Sequence, residues 1–214
     1  MTTAAVETLT TVQDRFRIWL QPADAENASR RQSEWTRAGL AVRVMRGDRM
    51  RDYDGLFDEF AAAMQFPWYF GYNGNGFDEC IADLSWIDPG AGYVLVINSP
   101  LEVLVDADGG ALTWLYGSLD RAYDEWATPV ERGAWRDRPA VPFHVVLVCE
   151  PDRASEVMRL WSEAGAEVSP LSLRSTNRMS ARQPNRHRVS PVASWKRRSL
   201  PDPVSPVPAG AARQ

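Results

Sequence analysis

The sequence predicts an α/β fold built on a small three-stranded parallel sheet packed with helices. Two observations carry this. Residues 40–45, 93–98 and 143–149 are short apolar runs. The last two are nearly continuous, as for strands buried on both faces of a sheet. Between the runs, apolar residues recur at helical spacing. Strands that alternate with helices return to the sheet by crossovers and lie parallel.

Before the first run, Phe16, Ile18 and Leu20 alternate with Arg17 and Trp19, a short strand signal that Pro22 ends. Residues 24–38 are polar and charged; a short helix anchored by Trp35 fits them. Together, residues 1–39 read as an N-terminal extension. The strand at 40–45 stops at Arg46-Gly47-Asp48. Asp52 can cap the next helix, because its carboxylate can accept the free N–H groups of a first turn. Leu56, Phe57, Phe60 and Met64 give that helix its apolar face, and Pro67 marks its end.

Residues 66–81 are the most informative stretch. Aromatics (Phe66, Trp68, Tyr69, Phe70, Tyr72) precede three glycines and an acidic helix, expected at about 75–85 with Asn75 as its cap and Asp78 in the first turn. A wheel at about 100° per residue puts Phe77, Cys80, Ile81 and Leu84 on one side and Asn75, Asp78, Glu79 and Asp83 on the other. The first set packs inward; the second forms an acidic stripe.

After the loop at 88–92 comes the strand Tyr93-Val94-Leu95-Val96-Ile97-Asn98. A turn at 106–110 leads to a helix at about 110–126, with Leu112, Leu115, Leu119, Ala122 and Trp126 on one side. A proline-rich connection then reaches the third strand at 143–149. Pro151 can open a last helix, with Val157, Leu160, Trp161 and Ala164 inward and Gly165 at its end. Residues 40–165 thus read as the domain. Residues 166–214 are rich in Pro, Ser and Arg and short of large apolar groups. They read as a disordered basic tail, since they cannot bury enough surface to offset ordering entropy.

Charge separates along the chain. Residues 1–164 hold 15 Lys+Arg against 26 Asp+Glu; residues 165–214 hold 9 against 2. An acidic body repels nucleic acid and speeds encounter with basic proteins. The tail's Arg and Lys could touch nucleic acid, but Trp195 is its one aromatic for base stacking, and a solvated tail fits better. No apolar run is long enough for a membrane helix, and the first residues lack the pattern of a signal peptide. Two cysteines, Cys80 and Cys149, are too few for a disulfide framework or a zinc site. They read as buried thiols in a reducing cytoplasm.

No catalytic set can be assembled. His144 lies inside an apolar strand and reads as structural; His187 lies in the tail. Gly71, Gly74 and Gly76 lack the spacing, the preceding strand and the cation of a phosphate loop. Asp78 and Glu79 diverge around their helix, so they cannot serve one substrate as a carboxylate pair. No cofactor, metal or enzyme activity is expected. Aromatics beside acids suit a protein interface.

The order of elements resembles the barstar family, intracellular inhibitors of a secreted ribonuclease. The likeness spans roughly residues 40–150. It begins with Ala41-Val42-Arg43-Val44, passes Gly47-Asp48 and the helix through Leu56 and Phe60, and continues with Trp86 and Val94-Leu95-Val96-Ile97. Its most specific part is Pro67-x-Tyr69-Phe70-Gly71-x-Asn73, then Glu79-Cys80-Ile81. The resemblance implies a barstar-like three-stranded sheet and a partner that is a basic ribonuclease. It implies contacts through Tyr69, Gly71, Asn73, Asn75, Asp78 and Glu79. Tyr69 and Asn73 stand at the family's Tyr and Asn positions. Glu79 stands at its second acid position, which fills the phosphate-binding pocket. Asn75 replaces the first acid, Asp78 stands where the family has Trp, and a further family acid falls near Asp120 or Arg121. Both Asn-Gly pairs, 73–74 and 75–76, read as open to deamidation.

Overall fold

The computed structural model describes residues 4–171, apart from 132 and 134–136. Of the disordered tail expected at 166–214, residues 166–171 are ordered instead, because residues 18–20 offer Val168–Pro170 a partner edge and Ala166 and Leu171 are buried; residues 172–214 lie outside the described residues. Five strands form one sheet: β1 (Ile18–Pro22), β2 (Ala41–Arg46), β3 (Tyr93–Asn98), β4 (Phe143–Cys149) and β5 (Val168–Pro170). Their order is β2-β3-β4-β1-β5 and every pairing is parallel. The register sets Val42 beside Val94, Leu95 beside Val145, and Leu147 beside Leu20.

The sheet therefore has five strands, not the three expected. β1 is the strand foreshadowed by Phe16, Ile18 and Leu20. It lies between β4 and β5, with four of its five residues buried. β5 is only three residues long and ends in Pro170. A proline cannot donate to a ladder and is tolerated at an edge, so nothing in its sequence announces a strand.

Six α-helices flank the sheet among the described residues. They are α1 (Ala4–Leu9), α2 (Ala25–Arg37), α3 (Tyr53–Met64), α4 (Gly74–Asp83), α5 (Ala111–Ala127) and α6 (Ala154–Glu163). Residues read as an N-terminal extension thus supply α1, β1 and α2. Side chains alternate across each strand, and two cores result. On one face Leu20, Leu95, Ile97 and Leu147 meet Phe60 of α3, Ile81 of α4, Leu115 of α5 and Trp161 of α6. On the other, Trp19, Val94, Val96 and Val146 meet Leu9 of α1 and Trp35 of α2.

Local chemistry fixes the ends of these elements. Asp52 caps α3 by accepting from Gly55 N at 2.8 Å. Glu59 of α3 is buried and accepts from Arg46 N, Nε and Nη2 at 2.8–2.9 Å, which ties α3 to the end of β2. Those side-chain bonds from Arg46 hold the Glu59 carboxyl below its ordinary range against the opposing effect of burial. Pro151 opens a 3-10 turn, Pro151–Arg153, that runs into α6.

Candidate protein-binding face

The loop at 66–73 rests on an aromatic bed. Phe66 and Phe70 ring centroids are 5.0 Å apart, and Phe57 meets Phe70 at 5.9 Å. Phe77, the first buried residue of α4, meets Phe60 at 4.9 Å and Trp114 at 5.4 Å. On this bed the remaining aromatics point out. Trp68 is 96% exposed, Tyr69 58% and Tyr72 59%. Trp68 and Tyr69 pair edge to face with centroids 6.0 Å apart, and Tyr72 lies over Phe70 at 4.8 Å. Tyr72, which rests on the buried ring of Phe70, is a pre-ordered contact, so little entropy is lost when a partner covers it.

The helix α4 begins at Gly74, one residue before the expected start, and its cap is Asn73, two residues before Asn75. Asn73 Oδ1 accepts from Gly76 N at 2.9 Å, and its Nδ2 donates to Gly71 O at 3.0 Å. This explains the Gly-x-Asn spacing. A Cβ on Gly71 would lie 2.8 Å from Asn73 Nδ2 and displace the amide. Tyr72 turns the chain between them in the left-handed region, at φ 48°. Two sequence-assigned contact residues, Gly71 and Asn73, therefore build the entry to the helix. The sequence reading places the cap at Asn75; the left-handed turn at Tyr72, which has no sequence signature, moves it to Asn73. Gly76 N, the atom that would attack Asn75 during deamidation, is engaged in the cap, which shields Asn75.

The wheel separates the α4 side chains as expected. Phe77, Cys80 and Ile81 are buried, as is Leu84 just past the helix. Asn75, Glu79 and Asp83 are exposed. Asp78 is the exception. It stands fifth in the helix, beyond the first turn, and its side chain is only one-third exposed. Its Oδ2 accepts from Arg121 Nη2 of α5 at 2.6 Å. Of the two neighbours Asp120 and Arg121, Arg121 is the one that ion-pairs with α4. No sequence signal links two residues so far apart in the chain.

Glu79 and Asp83 remain as carboxylates without an ion pair among the described residues. Tyr69 lies alongside them. Its phenol is pushed above the ordinary tyrosine range by desolvation first, then by nearby Asp83, Cys80 and Glu79. Below the pair, a groove of ≈ 570 Å³ runs over Trp126. Arg138 already stacks a guanidinium on that ring, 4.3 Å from its centroid, and donates to Glu125 O at 2.8 Å. This end of the face accepts a cation within the chain itself.

The other sequence candidates are structural. His144 is buried; its Nδ1 accepts from Trp19 Nε1 at 3.2 Å and its Nε2 donates to Thr11 O at 3.1 Å. Burial lowers its pKa to about 4. Cys80 and Cys149 are free and buried. No group of three or more His, Cys, Asp or Glu suited to a metal ion occurs among the described residues. No helix among them is long and apolar enough to cross a membrane.

A family model described as Barstar (barnase inhibitor) matches residues 40–148, half of the chain. Its span holds the whole face described above, β2, β3 and all but the last residue of β4. No curated protein matches. Among solved structures, one similar chain belongs to "Structure of Drosophila ORC bound to GC-rich DNA and Cdc6", with a TM-score of 0.43 and 12% identity. The match covers 82% of this chain and 56% of that one. A likeness that distant carries no functional argument.

Proposed function

The chain belongs to the barstar (barnase inhibitor) family, and on that premise we propose that it binds a barnase-like ribonuclease and plugs its cationic active site with loop 66–73 and α4. One observation carries the proposal. Exposed Trp68, Tyr69 and Tyr72 share a face with the unpaired carboxylates of Glu79 and Asp83, on a helix clamped into the core by its opposite side.

The chemistry is complementary. A ribonuclease active site gathers cations to stabilise phosphate. A carboxylate on a rigid helix takes the place of that phosphate through charge-assisted hydrogen bonds. Residues 41–150 hold 8 Lys+Arg against 18 Asp+Glu, which steers them toward a basic enzyme. Acting as an inhibitor, the protein needs no cofactor and no catalytic group of its own. Two free buried thiols fit a cytoplasmic setting.

A second reading keeps the fold as an interaction module for a partner that is not a ribonuclease. Two residues favour it. Asn75 is neutral where the family resemblance places an acid, and Asp78 is tied to Arg121. Such a face offers fewer carboxylates to an active site.

Affinity measurement tests the proposal. The protein forms a stable complex with a barnase-type ribonuclease, and Glu79→Ala weakens it about tenfold or more, the scale of a central interface contact. Unchanged affinity of Glu79→Ala would place the docking face elsewhere. A partner of another class recovered from the source cell would favour the second reading.

A further inference from the structure

The carboxyl edge of the sheet carries a concave site distinct from the α4 face. β1 and β4 are neighbours and parallel, yet the chain leaves them in opposite directions. After β1 it enters α2, whose Trp35 packs on one face of the sheet; after β4 it enters α6, whose Trp161 packs on the other. Divergence of this kind opens a crevice outside the carboxyl ends of the strands, where open α/β sheets bind ligands. The crevice here has a volume of ≈ 470 Å³, within the range of about 300–1,000 Å³ that small-molecule sites occupy.

It is a built cavity. Ala23, Ala28, Val148 and Cys149 line it and are buried. One wall is the turn that follows β3, where Ser99 takes a left-handed φ of 50°. That turn is held in place. Pro100 O accepts from Trp161 Nε1 at 3.1 Å. Gly47 packs beneath it so closely that a Cβ there would lie 2.2 Å from Ser99 O. A non-glycine residue keeps such a conformation only where its surroundings determine it, and such positions gather at ligand clamps.

The polar groups of the cavity define what it can take. The side chains of Ser29, Gln32, Asn98 and Ser99 line it and have no hydrogen-bond partner among the described residues. The lining cation Arg153 is paired with Glu156 at 2.8 Å, and Glu102 is paired with Arg51. Glu150 lines the cavity without an ion pair. A phosphate would meet Glu150 and no unpaired cation among the lining residues. An uncharged ligand rich in donors and acceptors meets free amides, hydroxyls and one acceptor carboxylate.

We propose that this cavity binds an uncharged adenine nucleoside. The amides of Gln32 and Asn98 each present a donor and an acceptor, the complement of the adenine N6–H/N7 edge. The Glu150 carboxylate suits ribose hydroxyls, as an acid near the strand ends does in dinucleotide-binding sheets. The small apolar lining suits the face of the base.

Titration of the full ¹⁵N-labelled chain with adenosine, and in parallel with adenosine monophosphate, tests this. Adenosine produces saturable shifts at the amides of Ala23, Ser29, Gln32, Asn98 and Glu150 and leaves Glu79 and Asp83 unmoved. The monophosphate binds at least tenfold more weakly. Asn98→Ala and, independently on an outer helix position, Gln32→Ala each weaken adenosine binding severalfold without altering the spectrum elsewhere. Absence of saturable shifts at these amides overturns the proposal. So does binding of the monophosphate as tight as that of adenosine, or unchanged binding in a folded Gln32→Ala.

Discussion

Asp78 Oδ2 and Arg121 Nη2 meet at 2.6 Å across α4 and α5. Arg121 also donates to Ser118 Oγ at 3.1 Å, and the second Asp78 oxygen, Oδ1, is buried without a partner. The pair holds the two helices in register and withdraws one carboxylate from the acidic face.

Arg121→Ala leaves Asp78 half-buried and unpaired. The pair is partly exposed, so its direct worth is about 0.5–1 kcal/mol, with a further penalty of about 1 kcal/mol for the desolvated carboxylate. Chemical denaturation of the variant therefore shows a stability loss of about 1–2 kcal/mol. Its association with a cationic ribonuclease becomes faster and more salt-dependent, because a negative charge is uncovered.

Asn73 acts through its cap, and its substitutions divide accordingly. Asn73→Ala loses the bond to Gly76 N and costs about 1 kcal/mol. Asn73→Asp and Asn73→Ser keep a capping oxygen and retain most of that stability. Thermal melting of the three variants shows this order; equal losses in all three would mean that the amide donor to Gly71 O, not the acceptor, matters.

The aromatics of loop 66–73 separate into support and contact. Phe70→Ala removes a buried ring from the bed and lowers stability by about 3 kcal/mol. Trp68→Ala leaves stability within about 0.5 kcal/mol, because its ring is almost wholly in water. Trp68→Ala instead weakens partner binding by about 1–2 kcal/mol. Calorimetric unfolding and binding of both variants check the split.

These residues also show how far the sequence could be read. The inward face of α4 was legible because Phe77, Cys80, Ile81 and Leu84 repeat with the helical period. The buried runs of β3 and β4 were legible because both faces of those strands are covered. The cap of α4 was misplaced at Asn75, since Asn73 carries the same capping chemistry and the left-handed turn at Tyr72 decides for it. The tie from Asp78 to Arg121 is a tertiary contact with no local signature. The count of strands failed twice: at β1, whose short strand signal was assigned to an extension outside the sheet, and at β5, whose three residues form a strand only because β1 offers them a partner edge.

His144 predicts an acid-sensitive fold. Its pKa is lowered to about 4 in the folded state from an ordinary value of 6.5, chiefly by burial. Above pH about 6.5 both states are neutral and the stabilisation is complete. Between about 6.5 and 4 the unfolded chain binds a proton that the folded chain refuses, so stability falls with pH across that window. The loss approaches roughly 3 kcal/mol. Denaturation midpoints between pH 7 and 4 follow this slope, and His144→Gln flattens it while losing some stability at pH 7.

The central claim is that the face of Tyr69 and Glu79 closes a ribonuclease active site. Its most direct test is a titration of RNA cleavage by a barnase-type ribonuclease with increasing amounts of this protein. Cleavage is expected to fall to background near one equivalent for a tight complex, and Glu79→Ala to require about tenfold more protein or greater. Cleavage that stays unchanged across barnase-type enzymes at excess protein, with no complex formed, would contradict it.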